Sequence, residues 1–185
     1  MRLETPADRA AVRRIHEAAF GRVDEAFLLE KLRKAPGFVP ELSLVAVKNR
    51  VAVGHILFFP ASIVSHNGTE TSTLALALVS VHPLFQGQGI GRRLVAEGLS
   101  AARKQVCHSV AVCGHTHFYS RFGFRKASCY GIKPPFDWSD DAFMACELQP
   151  GALSSLSGTV CYHPAFAVLS LLAVEHPQCL FHKNI

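Results

Sequence analysis

The chain has no apolar run long enough to cross a bilayer. A spanning helix needs roughly 20 such residues, and the longest candidate, residues 165–174, falls far short. The N-terminal stretch, MRLETPADRAAVRRIHEAAF, lacks the apolar core of a secretory signal and instead mixes charges with apolar residues at helical spacing. We therefore expect a cytoplasmic protein. Cysteines stand at 107, 113, 129, 146, 161 and 179, but there is no CxxC pair and no cysteine-dense segment. That pattern argues against a disulfide framework and against a zinc site, so reduced, mostly buried thiols and no metal are expected. Nor is there a block of like charge. The net charge is +5, with Arg13, Arg14, Arg92, Arg93, Arg103, Lys104, Arg121, Arg125 and Lys126 scattered along the chain. Without interleaved exposed aromatics or a recognisable nucleic-acid module, an anionic small molecule accounts for this surface better than a nucleic acid does.

What is present reads as one globular domain with a proper core, since 49% of the residues are hydrophobic and 18% charged. Pro6 and Asp8 mark a helix start, and Ala11, Ile15, Ala18 and Ala19 recur at helical spacing. A second helix runs from Asp24, carrying Phe27, Leu28 and Leu32, to the breaker at residues 35–37. The period then changes. LSLVAVK and VAVGHILFFP, joined at Asn49 and Arg50, read as a hairpin. SIVSH and LALALVSV read as another, with Asn67 and Gly68 supplying the positive φ that a tight turn needs. Residues 109–114 form a buried strand, HTHFYSRF a short helix closed by Gly123, and residues 142–148 a further strand. Helices and strands of this kind make a mixed α/β layer.

The second hairpin runs into QGQGIG, residues 86–91, and from there into a helix whose inner face carries Ile90, Leu94, Gly98 and Ala101, with Arg103 and Lys104 in its last turn. A strand that ends in glycines and enters a helix presents unpaired N–H groups at the positive end of the helix dipole, which suits phosphate. Gly87, Gly89 and Gly91 let the backbone approach closely, and Arg92 and Arg93 would oppose the dipole unless an anion sat there. No lysine follows Gly91, which excludes a Walker loop, and Arg92 stands where a dinucleotide fingerprint needs its third glycine. A capped helix with a merely tight turn also satisfies the pattern.

The surrounding residues are more specific. VSVHPLFQGQGIGRRLV, residues 79–95, resembles the acetyl-coenzyme A motif of the GNAT N-acetyltransferases, a strand ending V-x-V-x-P followed by [R/Q]-x-x-G-x-[G/A] and an apolar helix. Gln86, Gly89 and Gly91 occupy its signature positions; Val79, Val81 and Pro83 form its strand end. FYSRFGF, residues 118–124, is similar to the aromatic-Tyr-x-x-x-Gly-Phe segment that ends the coenzyme site. GHTHFYSRFGF, AFMACELQPGAL and GTVCYHPAF extend the resemblance to a bacterial subfamily of mostly uncharacterised N-acetyltransferases. It runs from residue 1 to Phe166. Thr116 departs from it, replacing a usual proline, and nothing past Phe166 is matched.

The resemblance implies an α/β (α+β) fold, with a mixed, mostly antiparallel sheet flanked by helices and two splayed strands holding acetyl-CoA. It makes residues 1–148 the transferase domain and 149–185 a C-terminal extension, family-like to 166 and unassigned over 167–185. It further implies direct transfer of acetyl to a primary amine of a small molecule or protein. Val79, Ser80, Val81, Gln86, Gly87, Gln88, Gly89, Ile90, Gly91, Arg92 and Tyr119 would bind the coenzyme. A backbone N–H near Val81 would meet the oxyanion and Tyr119 would be the general acid. LALALVSV offers no carboxylate as base. His115, four residues before Tyr119, is a candidate base or proton relay if the short helix begins early enough for both to share a face; the histidine of a turn also serves structure alone. Arg121, Phe122 and Phe124 would wall the coenzyme. By fold-level analogy residues 136–140, with Phe136, Trp138 and Asp140, and residues 162–166 would shape the acceptor pocket. AVLSLLAV reads as a packing helix or part of a homodimer contact. The competing function is a non-catalytic acyl-CoA sensor.

Overall fold

Where the sequence runs apolar over five or more residues it makes buried strands, and where apolar residues repeat every three or four it makes helices. The computed structural model describes residues 1–167. Calls made for residues 168–185, including most of AVLSLLAV, lie outside the described residues. The described chain divides into two units, the first comprising Met1–Phe59 and Ala77–Ala101 and the second built from Pro60–Leu76 and the chain from Ala102 onward.

The first unit opens with β1 (Arg2–Leu3), a 3-10 turn at Pro6–Asp8, α1 (Arg9–Phe20) and α2 (Asp24–Lys34). The start expected at Pro6 and Asp8 is the 3-10 turn that leads into α1, and α2 runs from Asp24 to the breaker as the sequence signals. The buried face of α1, however, is Val12, Ile15, His16 and Ala19; Ala18 is exposed and Ala11 only half-buried. In α2 Phe27 is exposed beneath the Lys31 ammonium, while Glu25 is buried against Arg22. Next come β2 (Ser43–Lys48), the first part of β3 (Val51–Val64), the last part of β4 (Glu70–Val81), and α3 (Ile90–Ala102). The strands lie side by side in the order β1, β2, β3, β4, with β1–β2 and β2–β3 antiparallel. Asn49 and Arg50 both adopt positive φ, at 50° and 64°, so this is the tight two-residue turn. Asn67 does not. Only Gly68 is left-handed there, and the Asn67 side chain instead accepts a 3.0 Å hydrogen bond from the Thr69 N–H.

One face of β3 carries α3 and the opposite face carries α1. A Cβ on Gly98 of α3 would lie 2.5 Å from the Phe58 ring, and one on Gly54 would lie 3.0 Å from Leu94 and 3.1 Å from the Ser80 carbonyl. The helix therefore approaches the sheet closely, burying Leu94, Val95 and Leu99 against it. Ala101 is only half-buried, and Arg103 and Lys104 fall beyond the helix end.

The second unit continues β3 and β4 and adds β5 (Ser109–Cys113), α4 (Thr116–Tyr119), β6 (Arg125–Lys126), β7 (Ile132–Lys133), β8 (Phe143–Glu147) and β9 (Gly158–Tyr162). Its strands run β4, β5, β8, β6, with β9 on β3 and β7 on β9. The sequence divided β3 at Pro60; the strand in fact runs through it. Residues up to Leu57 pair with β2 and residues from Ala61 pair with β9, so Pro60 sits where the partner on that edge changes. β4 pairs with β5 in parallel only at Leu74↔Val110 and Ala75↔Ala111, although β4 continues to Val81. The fold is mixed α/β, with an open, mostly antiparallel sheet flanked by helices.

The cysteines depart from expectation. Cys113 and Cys146 are buried, but Cys129 and Cys161 are exposed and Cys107 is intermediate. Cys161 is exposed because it alternates with buried Val160 along β9. Cys107, Cys129, Cys146 and Cys161 are free thiols, whereas Cys113 is disulfide-bonded. Cys179 lies outside the described residues.

Because Gly98 has no room for a side chain, Gly98→Val should lower stability by about 1–3 kcal/mol, the usual cost of overpacking. Equilibrium urea unfolding, monitored by circular dichroism, measures it.

Candidate coenzyme site

Val79 and Val81 are buried among the apolar side chains of the first unit. The Val81 carbonyl accepts a 2.9 Å hydrogen bond from Gln86 Nε2, and the His82 N–H donates to the Val53 carbonyl at 2.9 Å. The strand is thus closed by a side chain from the loop that follows it. A 3-10 turn at Pro83–Phe85 then leads into Gln86.

Gly87 and Gly89 adopt φ of 71° and 75°, where a Cβ would be strained, and no atom lies within 4 Å of the place a Cβ would occupy at either. The two glycines shape a loop around open space. Gly91 differs, being buried inside α3 without positive φ. Unlike Gly87 and Gly89, it supplies no left-handed turn. The Arg93 N–H donates to the Gly89 carbonyl at 3.1 Å, so the N–H groups just before it are those a helix leaves without intrahelical acceptors. Arg92 and Arg93 are exposed in this first turn. Lys48 of β2 adds a cation that the sequence reading missed; its ammonium donates to Gln88 Oε1 at 2.7 Å and lies 5.6 Å from the Phe85 ring centroid. Distance in sequence hid it.

In the second unit, Tyr119 ends α4 and is 0% exposed. Its ring meets Phe118 and Phe124 edge-on at 5.0 and 5.4 Å. Burial pushes the phenol well above its ordinary value, so it is protonated at neutral pH. His115 is the N-cap of α4, and its carbonyl accepts from the Tyr119 N–H at 3.2 Å. Its side chain is exposed, in contrast to that of Tyr119. Thr116, the departure from the subfamily pattern, donates its hydroxyl to the Asp141 carbonyl and so ties the turn down. Gly123 closes the segment in the left-handed region, as expected.

Phe136, Tyr162, His163 and Phe166 line a cavity of about 520 Å³. Trp138 packs beside them, its ring 5.1 Å from Phe136 and 6.1 Å from Tyr162. Asp140 is not part of this wall and lies 3.8 Å from the Lys126 ammonium.

Comparison with known proteins identifies the fold around this loop. A family model described as an acetyltransferase (GNAT) domain matches residues 1–127. The chain belongs to the GNAT acetyltransferase family. It is 30% identical over 167 residues to the uncharacterised N-acetyltransferase YhbS of Escherichia coli, covering 90% of this chain and 97% of that one. It is 38% identical over 129 residues to YjhQ of E. coli K12, also an uncharacterised N-acetyltransferase, covering 69% and 68%. The crystal structure of E. coli YhbS in complex with CoA superimposes with a TM-score of 0.82 at 28% identity, covering 90% of each chain. A GNAT acetyltransferase of Brucella melitensis in complex with acetyl-CoA gives 0.72 at 32%, covering 89% of this chain and 96% of that one.

This GNAT chain also holds a buried polar cluster that the sequence reading did not single out. The Arg33 guanidinium pairs with Glu4 and Glu30. Ser43 Oγ donates to Glu4 Oε2 at 2.6 Å and lies 3.0 Å from His55 Nε2. His55 Nδ1 is 2.9 Å from His16 Nε2, and His16 Nδ1 is 3.2 Å from Ser80 Oγ. Both imidazoles are fully buried. The available signals were a histidine on the apolar face of α1 and another inside VAVGHILFF.

Burial would raise the Glu4 carboxyl, but His55, whose Nε2 lies 3.6 Å from Glu4 Oε2, the hydrogen bond from Ser43 and the charge of Arg33 outweigh it and hold the group at about 2. The Arg2 guanidinium likewise draws Asp8 below the ordinary carboxylate range. Burial pushes His55 below the usual imidazole value. Each of these groups binds protons more weakly folded than unfolded, so acid destabilises the protein. Stability should hold above the free imidazole value of about 6.5, then decline as His55 is forced to charge. It should fall again below the free glutamate value of about 4.3, the Glu4 part being complete near its folded value. Urea midpoints between pH 8 and 3 test this. Glu4→Gln should lower stability at pH 8 and flatten the second fall.

Proposed function

We propose that the protein transfers the acetyl group of acetyl-CoA directly to a primary amine, as an acyltransferase of the cytoplasm. The observation that carries this reading is the β4–loop–α3 junction. Two left-handed glycines bend the backbone around open space at a helix N-terminus, among Lys48, Arg92 and Arg93. Such a cradle suits a pyrophosphate, and two related GNAT structures carry CoA or acetyl-CoA. Residues 79–81 would present backbone groups to the pantetheine arm, the Val81 N–H meeting the oxyanion. Gln86, Gly87, Gln88, Gly89, Ile90, Gly91 and Arg92 would hold the phosphates. The transferase domain is assigned to residues 1–148 and an extension to 149–185.

The amine arrives protonated, with a pKa near 10.4, and the departing thiolate, near 8.5, benefits from a proton. Tyr119 is the acid in this reading, since burial keeps its phenol protonated. His115 is exposed and would act through solvent as base or relay. The apolar aromatic walls of Phe136, Tyr162 and Phe166 favour an acceptor with an apolar body.

Tyr119→Phe should lower turnover about 10²- to 10⁴-fold, the range of general acid catalysis, with acetyl-CoA affinity within about twofold of wild type. The assay is acetyl transfer to polyamines, amino acids, aminoglycosides and peptides. Unchanged turnover would remove Tyr119 as the acid, and tight coenzyme binding without transfer to any amine would favour a sensor.

Gly89→Glu places bulk and negative charge at the cradle. Acetyl-CoA affinity should fall at least about tenfold by calorimetry, the equivalent of 1.4 kcal/mol, with the circular dichroism spectrum retained. Retained affinity would place the phosphates elsewhere.

A further inference from the structure

The cavity beside β9 is walled by rings that reach it from two separate segments. Phe136 comes from the chain after β7, where the Trp138 N–H donates to the Phe136 carbonyl at 2.7 Å and closes a tight turn. Tyr162 ends β9, and Phe166 follows in the 3-10 turn Pro164–Ala167, its N–H donating to the His163 carbonyl at 2.9 Å. The ring centroids form one series: Trp138 to Phe136 at 5.1 Å, Phe136 to Tyr162 at 6.2 Å and Tyr162 to Phe166 at 4.8 Å. At such spacings aromatic rings attract one another, offset or edge to face. Val64, Val160 and Pro164 extend the apolar part of the wall.

Size and charge narrow what this wall can take. At about 520 Å³ the cavity falls within the range of small-molecule sites. Among the described residues that line it there is no Asp, Glu, Lys or Arg. Burial raises the Tyr162 phenol above its ordinary value, so that it stays uncharged. One ammonium can rest over an aromatic face. A second one drawn against the same wall would lose its water with no carboxylate there to replace it, which is costly. An aryl ring meets neither obstacle, because it buries apolar area and joins rings already at stacking distance.

We propose that this cavity takes the body of the acceptor and that the acceptor is an arylalkyl monoamine, its ring against Phe136, Tyr162 and Phe166 and its single amine outside the aromatic wall. This rests on the reading of the protein as an amine acetyltransferase, and it sets polyamines and aminoglycosides aside as acceptors. In the transfer the lone pair of the amine nitrogen forms the bond to the acetyl carbon, and the C–S bond breaks with its electron pair going to sulfur. The ammonium sheds two protons, one ending on the departing thiol and the other in solvent.

Trp138 is the one tryptophan of the chain, so its emission reports on this wall. The full chain is titrated with phenylethylamine, ethylamine and spermidine in the absence of coenzyme. Phenylethylamine should shift the emission to saturation and bind about ten- to a hundredfold more tightly than ethylamine, the worth of one buried phenyl group. Spermidine should bind no better than ethylamine. Phe136→Leu keeps the wall apolar and removes a ring; it should weaken phenylethylamine about three- to tenfold and leave ethylamine within about twofold. An emission that phenylethylamine does not move, spermidine binding as tightly as phenylethylamine, or full affinity in Phe136→Leu overturns the proposal. Acetyl transfer to the same three amines should rank phenylethylamine first in kcat/KM. Transfer that favours spermidine, or reaches none of the three while acetyl-CoA still binds by calorimetry, overturns the acceptor class alone. Failure of wild type to bind acetyl-CoA overturns the acetyltransferase reading and the acceptor role with it, while the emission still shows whether the cavity takes an aryl amine.

Discussion

The approach of α3 to β3 through Gly54 and Gly98 fixes the rest of the first unit. With a side chain at either glycine the helix would stand further from the sheet. The loop after β4 would then enter the helix from a different height, and its N–H groups would point elsewhere. Two glycines far from the loop in sequence therefore set where the loop's own glycines aim. Backbone closeness, more than any ligand-facing side chain, decides the geometry of the cradle, which is why Val79 and Val81 can be chosen for packing.

The opposite face of β3 is held by different physics. There the contact with α1 runs through His55 and His16, and beyond them to Glu4 and Arg33. An apolar interface tolerates small shifts, whereas a hydrogen-bonded one has few arrangements that leave nothing unsatisfied. The sheet is thus pressed by dispersion on one side and pinned by directed bonds on the other. The pinned side reaches β4 next to its last residues.

Much of this was legible in the residue order. Caps, breakers and apolar periods located α1, α2, β2, β4 and α3, and the family resemblance carried by Gln86, Gly89 and Gly91 after a valine-rich strand pointed to the coenzyme. What the sequence hid were contacts whose partners are far apart. Lys48 reaches Gln88 across 40 positions and His16 reaches Ser80 across 64. Local pattern misled where a rule had two outcomes. Asn67–Gly68 looked like the tight turn, but Asn49–Arg50 adopted it: Asn49 tolerates left-handed backbone, and the pairing of Lys48 with Val51 carries Arg50 into it as well. Pro60 looked like a strand end because a proline inside a ladder forfeits a bond, yet it sits at the seam where β3 exchanges β2 for β9.

That last position has a wider meaning. A single strand serves β2 on one stretch of its edge and β9 on the next, with an imino acid at the seam. The ladder to β2 shares no hydrogen bond with the ladder to β9. The two ladders meet β3 on the same edge, while β4 lines the other. Pro60 therefore marks a change of partner on one edge of a continuous strand, so a change in β9 need not alter a single pair of the β2 ladder.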